Sequence, residues 1–309
     1  MTPATSASDV PAVQTVAVEK RFGSHVVLRG AALLVPPGAF YLLAGANGAG
    51  KSTLIKILLD LVRADRGSAH VLGLDSVREV ARLHASVGYV PDSGRTPHAR
   101  LTVERGLAFH ARHYPDWDRA YATGLARELA VPLERMGRSL SQSESVRVSL
   151  VAALAHRPPV LLLDEPFAGL DPTTRDSVLA LLSDHLAAVQ TTVLVATQDL
   201  VTVAPLIDHV GMLREGTLAV QAPVDVIRER FKRYRVRLPG PWAPQRALLD
   251  AAIEHTEGGR ESEWAVWGEE GWATAAFEAA GAEVAEVRPM SAAEAIATLL
   301  RAGKTLDVH

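Results

Sequence analysis

Short runs of consecutive apolar residues recur along the chain, each followed by glycines or acids and then by residues at helical spacing. Phe40-Tyr41-Leu42-Leu43-Ala44 leads into a glycine-rich stretch, and residues 53–62 follow with apolar positions three and four apart. Val160-Leu161-Leu162-Leu163 and Thr192-Val193-Leu194-Val195-Ala196 are further runs of this kind. Unbroken apolar runs of this length suit strands buried on both faces, as in a parallel sheet covered by helices. Strand, loop and helix in alternation predict an α/β core with ligands at the C-terminal ends of the strands. Residues 101–138 are mostly helical in pattern, interrupted at Tyr114-Pro115-Asp116-Trp117.

Beyond Val220 the character changes. Ala222-Pro223 opens a helix predicted to reach Phe231, and residues 234–238 read as a strand ended by Pro239-Gly240-Pro241. Helices are expected over 245–255, 274–280 and 292–301, and short strands over 264–267 and 284–287. This part is expected to form a small α+β domain over about residues 233–305.

Composition narrows the class. The 309 residues suit one large domain with an appendage. Hydrophobic residues make up 48% and charged residues 22%, which argues against global disorder. A formal charge of −3 excludes coating of nucleic acid by electrostatics alone. Without cysteine there is no disulfide, thiolate metal site or thiol nucleophile. Residues 1–13 lack a basic start and an apolar stretch, so they read as a disordered tail, not a secretory signal. No stretch approaches the ~20 apolar residues that cross a bilayer, so any membrane spans would come from another chain.

Gly45-Ala46-Asn47-Gly48-Ala49-Gly50-Lys51-Ser52-Thr53 satisfies G-x-x-x-x-G-K-[ST] and sits between an apolar strand and a helix. Its glycines let successive N–H groups turn inward as an anion nest, and the following helix adds its positive end. Lys51 is placed to reach the β- and γ-phosphates, and Ser52 to put its hydroxyl on Mg²⁺. A second motif, Asp164-Glu165-Pro166, ends the apolar run at 160–163. A buried strand needs no acids at its end, but MgATP hydrolysis uses two. Asp164 suits the Mg²⁺ through water and Glu165 the attacking water.

With these motifs in order, the sequence resembles the ATPase subunits of ABC transporters over about residues 14–225. The resemblance implies a P-loop ABC-type cassette, a mixed-sheet α/β core with a helical subdomain at about 93–145. Ala168-Gly169-Leu170-Asp171-Pro172 looks like the family's D-loop, and Phe22 matches the aromatic that stacks on adenine. A single cassette with a small C-terminal extension and a Tyr-Pro-x-Trp-Asp-like element resembles bacterial exporter-type subunits with separate permease chains. The resemblance implies ATP and Mg²⁺ as cofactors, a second ATPase subunit paired head to tail in a homo- or heterodimer, and a cytoplasmic position on the inner face of the membrane. ATP would lie between one chain's phosphate loop and the other's signature. Nucleic acid is not an expected partner, because DNA-acting relatives carry long coiled-coil insertions and translation-type relatives carry two cassettes.

Three positions depart from the family pattern. The signature aligns to Leu140-Ser141-Gln142-Ser143-Glu144, which lacks both glycines and adds an acid, while Ser141 survives as a nucleotide contact. Asp92 stands where glutamine is usual, and still suits Mg²⁺ or its water. Gln198 stands where histidine is expected; it can donate a hydrogen bond but carries no charge and relays no proton. The leading reading is an energising subunit for transport, in the export direction, and the three departures are either harmless drift within a working enzyme or the mark of a slow or partly degenerate ATPase. The rival is a soluble ATP-binding switch that uses nucleotide for dimerisation. The basic stretch from Arg228 to Arg237 reads as a solvated helix end and strand face, and Trp264, Trp267 and Trp272 as core of the C-terminal domain.

Overall fold

The computed structural model describes residues 10–92, 99–238, 242, 244–258, 260–269 and 271–302. Two compact units divide the chain: Met1–Ile207 with Gly211–Leu218, and Asp208–Val210 with Ala219–His309. The chain begins with strands β1 (Val13–Phe22), β2 (His25–Ala31), β3 (Leu34–Val35) and β4 (Phe40–Ala44), then helix α1 (Lys51–Leu58). Next come β5 (Arg66–Val71), β6 (Leu74–Asp75), α2 (Val80–Ala85) and β7 (Val87–Val90). Three helices follow, α3 (Val103–His110), α4 (Arg119–Glu128) and α5 (Gln142–Leu154), and then β8 (Val160–Asp164). After β8 come α6 (Pro172–Val189), β9 (Thr192–Ala196), α7 (Leu200–Val203), β10 (His209–Arg214) and β11 (Thr217–Pro223).

One sheet runs β11-β10-β4-β9-β8-β7. Its β4, β9, β8 and β7 are parallel, with Leu43 opposite Ala196 and Asp164 opposite Ala196 on the other side. Every residue of β4, β8 and β9 is buried, as their unbroken apolar runs require. A second sheet, β2-β1-β5-β6 with β3 on β1, is antiparallel. Its strands mix charged and apolar residues, and the sequence reading did not identify them. Thr15 fastens this sheet: its buried Oγ1 donates to the Ala31 carbonyl and accepts from the Leu33 amide. The disordered tail expected over 1–13 needs correction at its end. The Ala12 amide donates to Val35 and its carbonyl accepts from Leu72, so Ala12 and Val13 are core residues. Residues 1–9 lie outside the described residues, as does 93–98 within the expected helical subdomain.

The helical layer owes its starts to polar caps. Thr102, Asp118 and Ser141 cap α3, α4 and α5 through their side-chain oxygens. The interruption at Tyr114 to Trp117 ends the first of these helices, and the Tyr114 ring stacks on His156 at 4.1 Å. His185 ties α4 to α6. The Thr191 hydroxyl donates to the Pro158 carbonyl, so Thr191 can only accept from His185 Nε2. Nδ1 is then the bare nitrogen, and it accepts from the Tyr121 hydroxyl at 3.1 Å.

In the second unit, α8 (Val224–Arg230), β12 (Phe231–Arg237), α9 (Arg246–Ala251) and β13 (Ala252–Gly258) come first. They are followed by β14 (Glu261–Trp267), α10 (Trp272–Ala279), β15 (Glu283–Pro289) and α11 (Ala292–Ala302). The antiparallel sheet runs β13-β14-β12-β15 over a core that includes Tyr234, Val236, Trp264 and Phe277. The helix expected over 245–255 stops at Ala251. From Ala252 the chain pairs with β14 instead, and His255 stacks on Trp264 at 4.6 Å. Strand pairing overrides local helical propensity there. Only Trp264 of the three tryptophans is fully buried; Trp267 packs on Phe231, and Trp272 is 38% exposed. Arg233, Arg235 and Arg237 pair with Glu254, Glu263 and Glu294, with Glu286, and with Glu261 respectively.

Burial holds both His156 and His185 near pKa 4, well below the ordinary 6.5. Below about pH 6.5 the unfolded chain takes up protons that the folded chain refuses, so stability falls as pH drops from about 6.5 to 4. The loss is expected to be on the order of 2–3 kcal/mol per histidine. Urea unfolding at pH 7 and pH 4.5 should show it, with a shallower pH slope for His185→Gln.

Candidate nucleotide site

The parallel register of β4, β8 and β9 brings three chain reversals side by side. The loop after β4 leads into α1 through Gly50, whose φ of +105° lies where side chains are strained, and a Cβ there would meet Leu28 at 2.8 Å. A Cβ on Gly45 would fall 2.5 Å from the Leu213 carbonyl oxygen. Only glycine fits either place. Lys51 is 6% exposed and folds back, donating to the carbonyls of Gly45 at 2.8 Å and Ala46 at 3.2 Å. Burial pulls its pKa down, while Glu165, Asp164 and Asp92 push it back up. A polyanion in the loop would therefore meet a cation already gathered at its base.

Ser52 Oγ donates to Asp164 Oδ1 at 2.8 Å, joining the phosphate loop to the end of β8. Asp164 is fully buried, and its Oδ2 has no hydrogen-bond partner. Desolvation first, and the nearby Asp92 and Glu165 after it, raise its pKa, against the opposing hydrogen bond from Ser52. The next residue, Glu165, takes φ +49°, a left-handed conformation rare outside glycine that costs about 1 kcal/mol or more. Its amide donates to Ala196, which holds the strained turn in place. Its carboxylate accepts from the Gln198 backbone N–H at 3.3 Å and from Gln198 Nε2 at 3.5 Å. Gln198 Nε2 also donates to Asn47 Oδ1, so one amide spans the loop and the acid.

Beside these residues lies a cleft of about 570 Å³, a size suited to a nucleotide; Gly45 and Asp164 are not among its lining residues, and Asp164 meets it only through Ser52. Its walls carry Asn47, Gly48, Ala49, Gly50, Lys51, Ser52, Thr53, Asp92, Glu165 and Gln198, all anticipated from sequence. Phe22 stands at its edge, 51% exposed, so it is not an ordinary core phenylalanine. His25 and Val27 also line it and were not anticipated, and so does Ala168, known from sequence only as the start of the D-loop-like stretch. Their signal was proximity to Phe22 and to Glu165 along the chain. Ser141 is not brought into the cleft. It caps α5, accepting from the Glu144 amide at 3.2 Å. A smaller cavity of about 220 Å³ lies among Leu59, Val87, Tyr89 and Tyr114, without the acids or the glycine loop.

The ABC transporter family model matches residues 28–168, from β2 through the acidic turn. An aliphatic sulfonates import ATP-binding protein, SsuB 2 of Pseudomonas aeruginosa (strain UCBPP-PA14), is 35% identical over 219 residues, covering 70% of this chain and 76% of its own. The chain belongs to the family of ABC transporter ATP-binding proteins. A Nod factor export ATP-binding protein I of Burkholderia orbicola (strain AU 1054) is 31% identical, covering 78% of this chain and 81% of its own. Among solved structures, an ATP binding subunit of an ABC transporter superposes with TM-score 0.63 at 27% identity, over 70% of this chain and 92% of that one. This ABC protein is thus an ATP-binding ATPase subunit, and its named relatives include both import and export proteins.

A buried, desolvated carboxylate weakens the nucleotide-free fold. Because the folded pKa of Asp164 is raised, its destabilising contribution is absent at low pH and grows as pH rises past the ordinary carboxylate range. Asp164→Asn is expected to raise the melting temperature of the nucleotide-free ABC protein at pH 7 while reducing ATP hydrolysis at least a hundredfold. Calorimetric scanning and a phosphate-release assay check the two halves.

Proposed function

We propose that this chain energises a transporter, in the export direction, docked to a separate membrane-spanning permease and paired head to tail with a second ATPase subunit. Residues 14–225 serve as the cassette, 93–145 as its helical subdomain and 233–305 as an appended domain. The chain works on the cytoplasmic face of the membrane. No helix among the described residues is long and apolar enough to span a bilayer, which is compatible with membrane spans supplied by a separate permease. The export direction rests on the Tyr114-Pro115-Asp116-Trp117-Asp118 element and the single cassette with its extension.

The observation that carries the reading is the convergence of Lys51, Ser52, Glu165 and Gln198 on one cleft, with the buried Asp164 bonded to its Ser52. The partnerless Asp164 Oδ2 beside the Ser52 hydroxyl fits Mg²⁺, with Asp92 close enough to act on the same charges. When bound, the ion would neutralise phosphate charge. Phe22 offers an exposed ring to the base, and Gly45, Asn47, Gly48, Ala49, Gly50, Lys51, Ser52 and Thr53 hold the phosphates. Glu165 takes the proton of the attacking water or orients it. Gln198 positions Glu165 through two hydrogen bonds, but it cannot supply the charge that a histidine would. Slow turnover follows.

The purified chain is expected to bind MgATP and to hydrolyse it well below the ordinary enzyme median of about 10 s⁻¹. Gln198→His should raise the rate and add a pH dependence near neutrality; Glu165→Gln should stop turnover with binding retained. Turnover at the median rate by the chain alone would overturn the slow-ATPase reading.

A further inference from the structure

Glu165 is held between two turns, and one guanidinium outside the cleft ties those turns together. The first, residues 165–171, is closed by the Ala168 amide on the Glu165 carbonyl and the Leu170 amide on that of Phe167. The second, residues 197–199, leads from β9 into α7 and carries Gln198, whose backbone N–H and side-chain amide both donate to Glu165. Arg175, at the start of α6, reaches both turns. Its Nη1 pairs with Asp199 Oδ2 at 3.0 Å, and its Nη2 donates to the Leu170 carbonyl at 3.4 Å. Asp199, directly after Gln198, is anchored elsewhere too: Oδ1 caps α7 by accepting from the Thr202 amide, and its own amide donates to Thr197 Oγ1. The side chains of Arg175 and Asp199 are 33% and 30% exposed, so solvent screens the pair only in part. Arg175 Nε is buried and has no hydrogen-bond partner among the described residues. A buried donor left unbonded disfavours the fold, so stability alone does not account for an arginine here. Only the planar fork serves a carboxylate and a carbonyl at once.

We infer that Arg175 is a positioning residue for hydrolysis: by fixing Asp199 and Leu170 relative to one another, it sets where Gln198 presents its two donors to Glu165. The inference rests on the reading that Glu165 acts on the attacking water. Arg175 does not line the cleft, so it acts through Gln198 and Glu165. Without it, the 197–199 turn keeps its bonds to Thr197 and Thr202 but loses its tie to the 165–171 turn. Glu165 then loses its fixed orientation, while the phosphate loop is untouched. Misplacing a reacting group by about 1 Å costs up to about a hundredfold in rate. The loss therefore falls on kcat and spares the affinity for MgATP.

The test measures kcat and KM for ATP in the purified chain and its variants, with MgATP affinity by calorimetry and folding by circular dichroism. Arg175→Gln removes the charge, and Asp199→Asn removes the pair while keeping a cap on α7. Each should lower kcat about tenfold with KM and affinity within about twofold. The double variant should be no slower than the slower single one, because both break one connection. Arg175→Lys, which reaches Asp199 but not also the Leu170 carbonyl, should recover part of the rate. In a Gln198→Ala chain, Arg175→Gln should change kcat by less than about twofold, since the group it acts through is gone. Unchanged kcat in the single variants would overturn the inference. So would a loss of MgATP affinity matching the loss of rate, or a full tenfold effect of Arg175→Gln in the Gln198→Ala chain. If Arg175→Gln does not fold, Asp199→Asn and Arg175→Lys carry the same comparison. No hydrolysis by the parent chain with MgATP bound is a separate result: it overturns the ATPase reading of Glu165, and the inference with it.

Discussion

A single hydrogen bond, from Ser52 Oγ to Asp164 Oδ1, joins segments 112 residues apart and fixes the distance between the phosphate loop and the acidic turn. It can form only because β4, β9 and β8 lie parallel and in register, with their C-terminal ends level. Parallel strands need long crossovers, and the helices between them supply the cover that keeps all three strands buried. The core therefore serves the site directly. A slip in the register of β8 would exchange Asp164 for a leucine or for Glu165 and part the two halves of the cleft.

The cost of this arrangement is concentrated at the cleft. Lys51 is buried with its charge opposed by burial, Asp164 is desolvated with one oxygen unpartnered, and Glu165 holds a left-handed backbone. Each of these is unfavourable in the empty fold and becomes useful only when phosphate and a cation arrive. Buried charges of opposite sign gathered beside one cleft are the mark of a site built to be filled. The buried apolar strands on either side offset the deficit.

How legible this was in the sequence depended on the range of the interactions. The strands β4, β8 and β9 were readable because full burial demands unbroken apolar runs, and the cleft residues because phosphate binding demands a fixed local order. The β1–β2–β5 sheet was not readable, since its strands have a solvated face and β1 pairs with β5 across tens of residues. The first residues of strand β13 were misread as helix because they continue the alanine- and leucine-rich α9, while pairing with β14 decides the outcome. Ser141 was legible as a residue type, but not as a cap. Its role is settled by Glu144 three positions on, a pairing that a motif aligned to the family hides.

Glu144 and Glu165 show how the same chemistry acts oppositely at two places in one chain. Glu165 follows a strand, held by two hydrogen bonds from Gln198 and facing the cleft with its charge available. Glu144 lies at a helix start, where the peptide dipole, the Ser141 amide and Arg135 already engage both of its oxygens. The Ser141 and Arg135 bonds hold its pKa below the ordinary range, so protonation near neutrality does not release the cap. A carboxylate that stays ionised and stays bonded to Ser141 and Arg135 fixes the start of α5 and takes no part in the cleft. The same side chain thus serves the fold at one place and lines the nucleotide cleft at the other, and only its partners decide which.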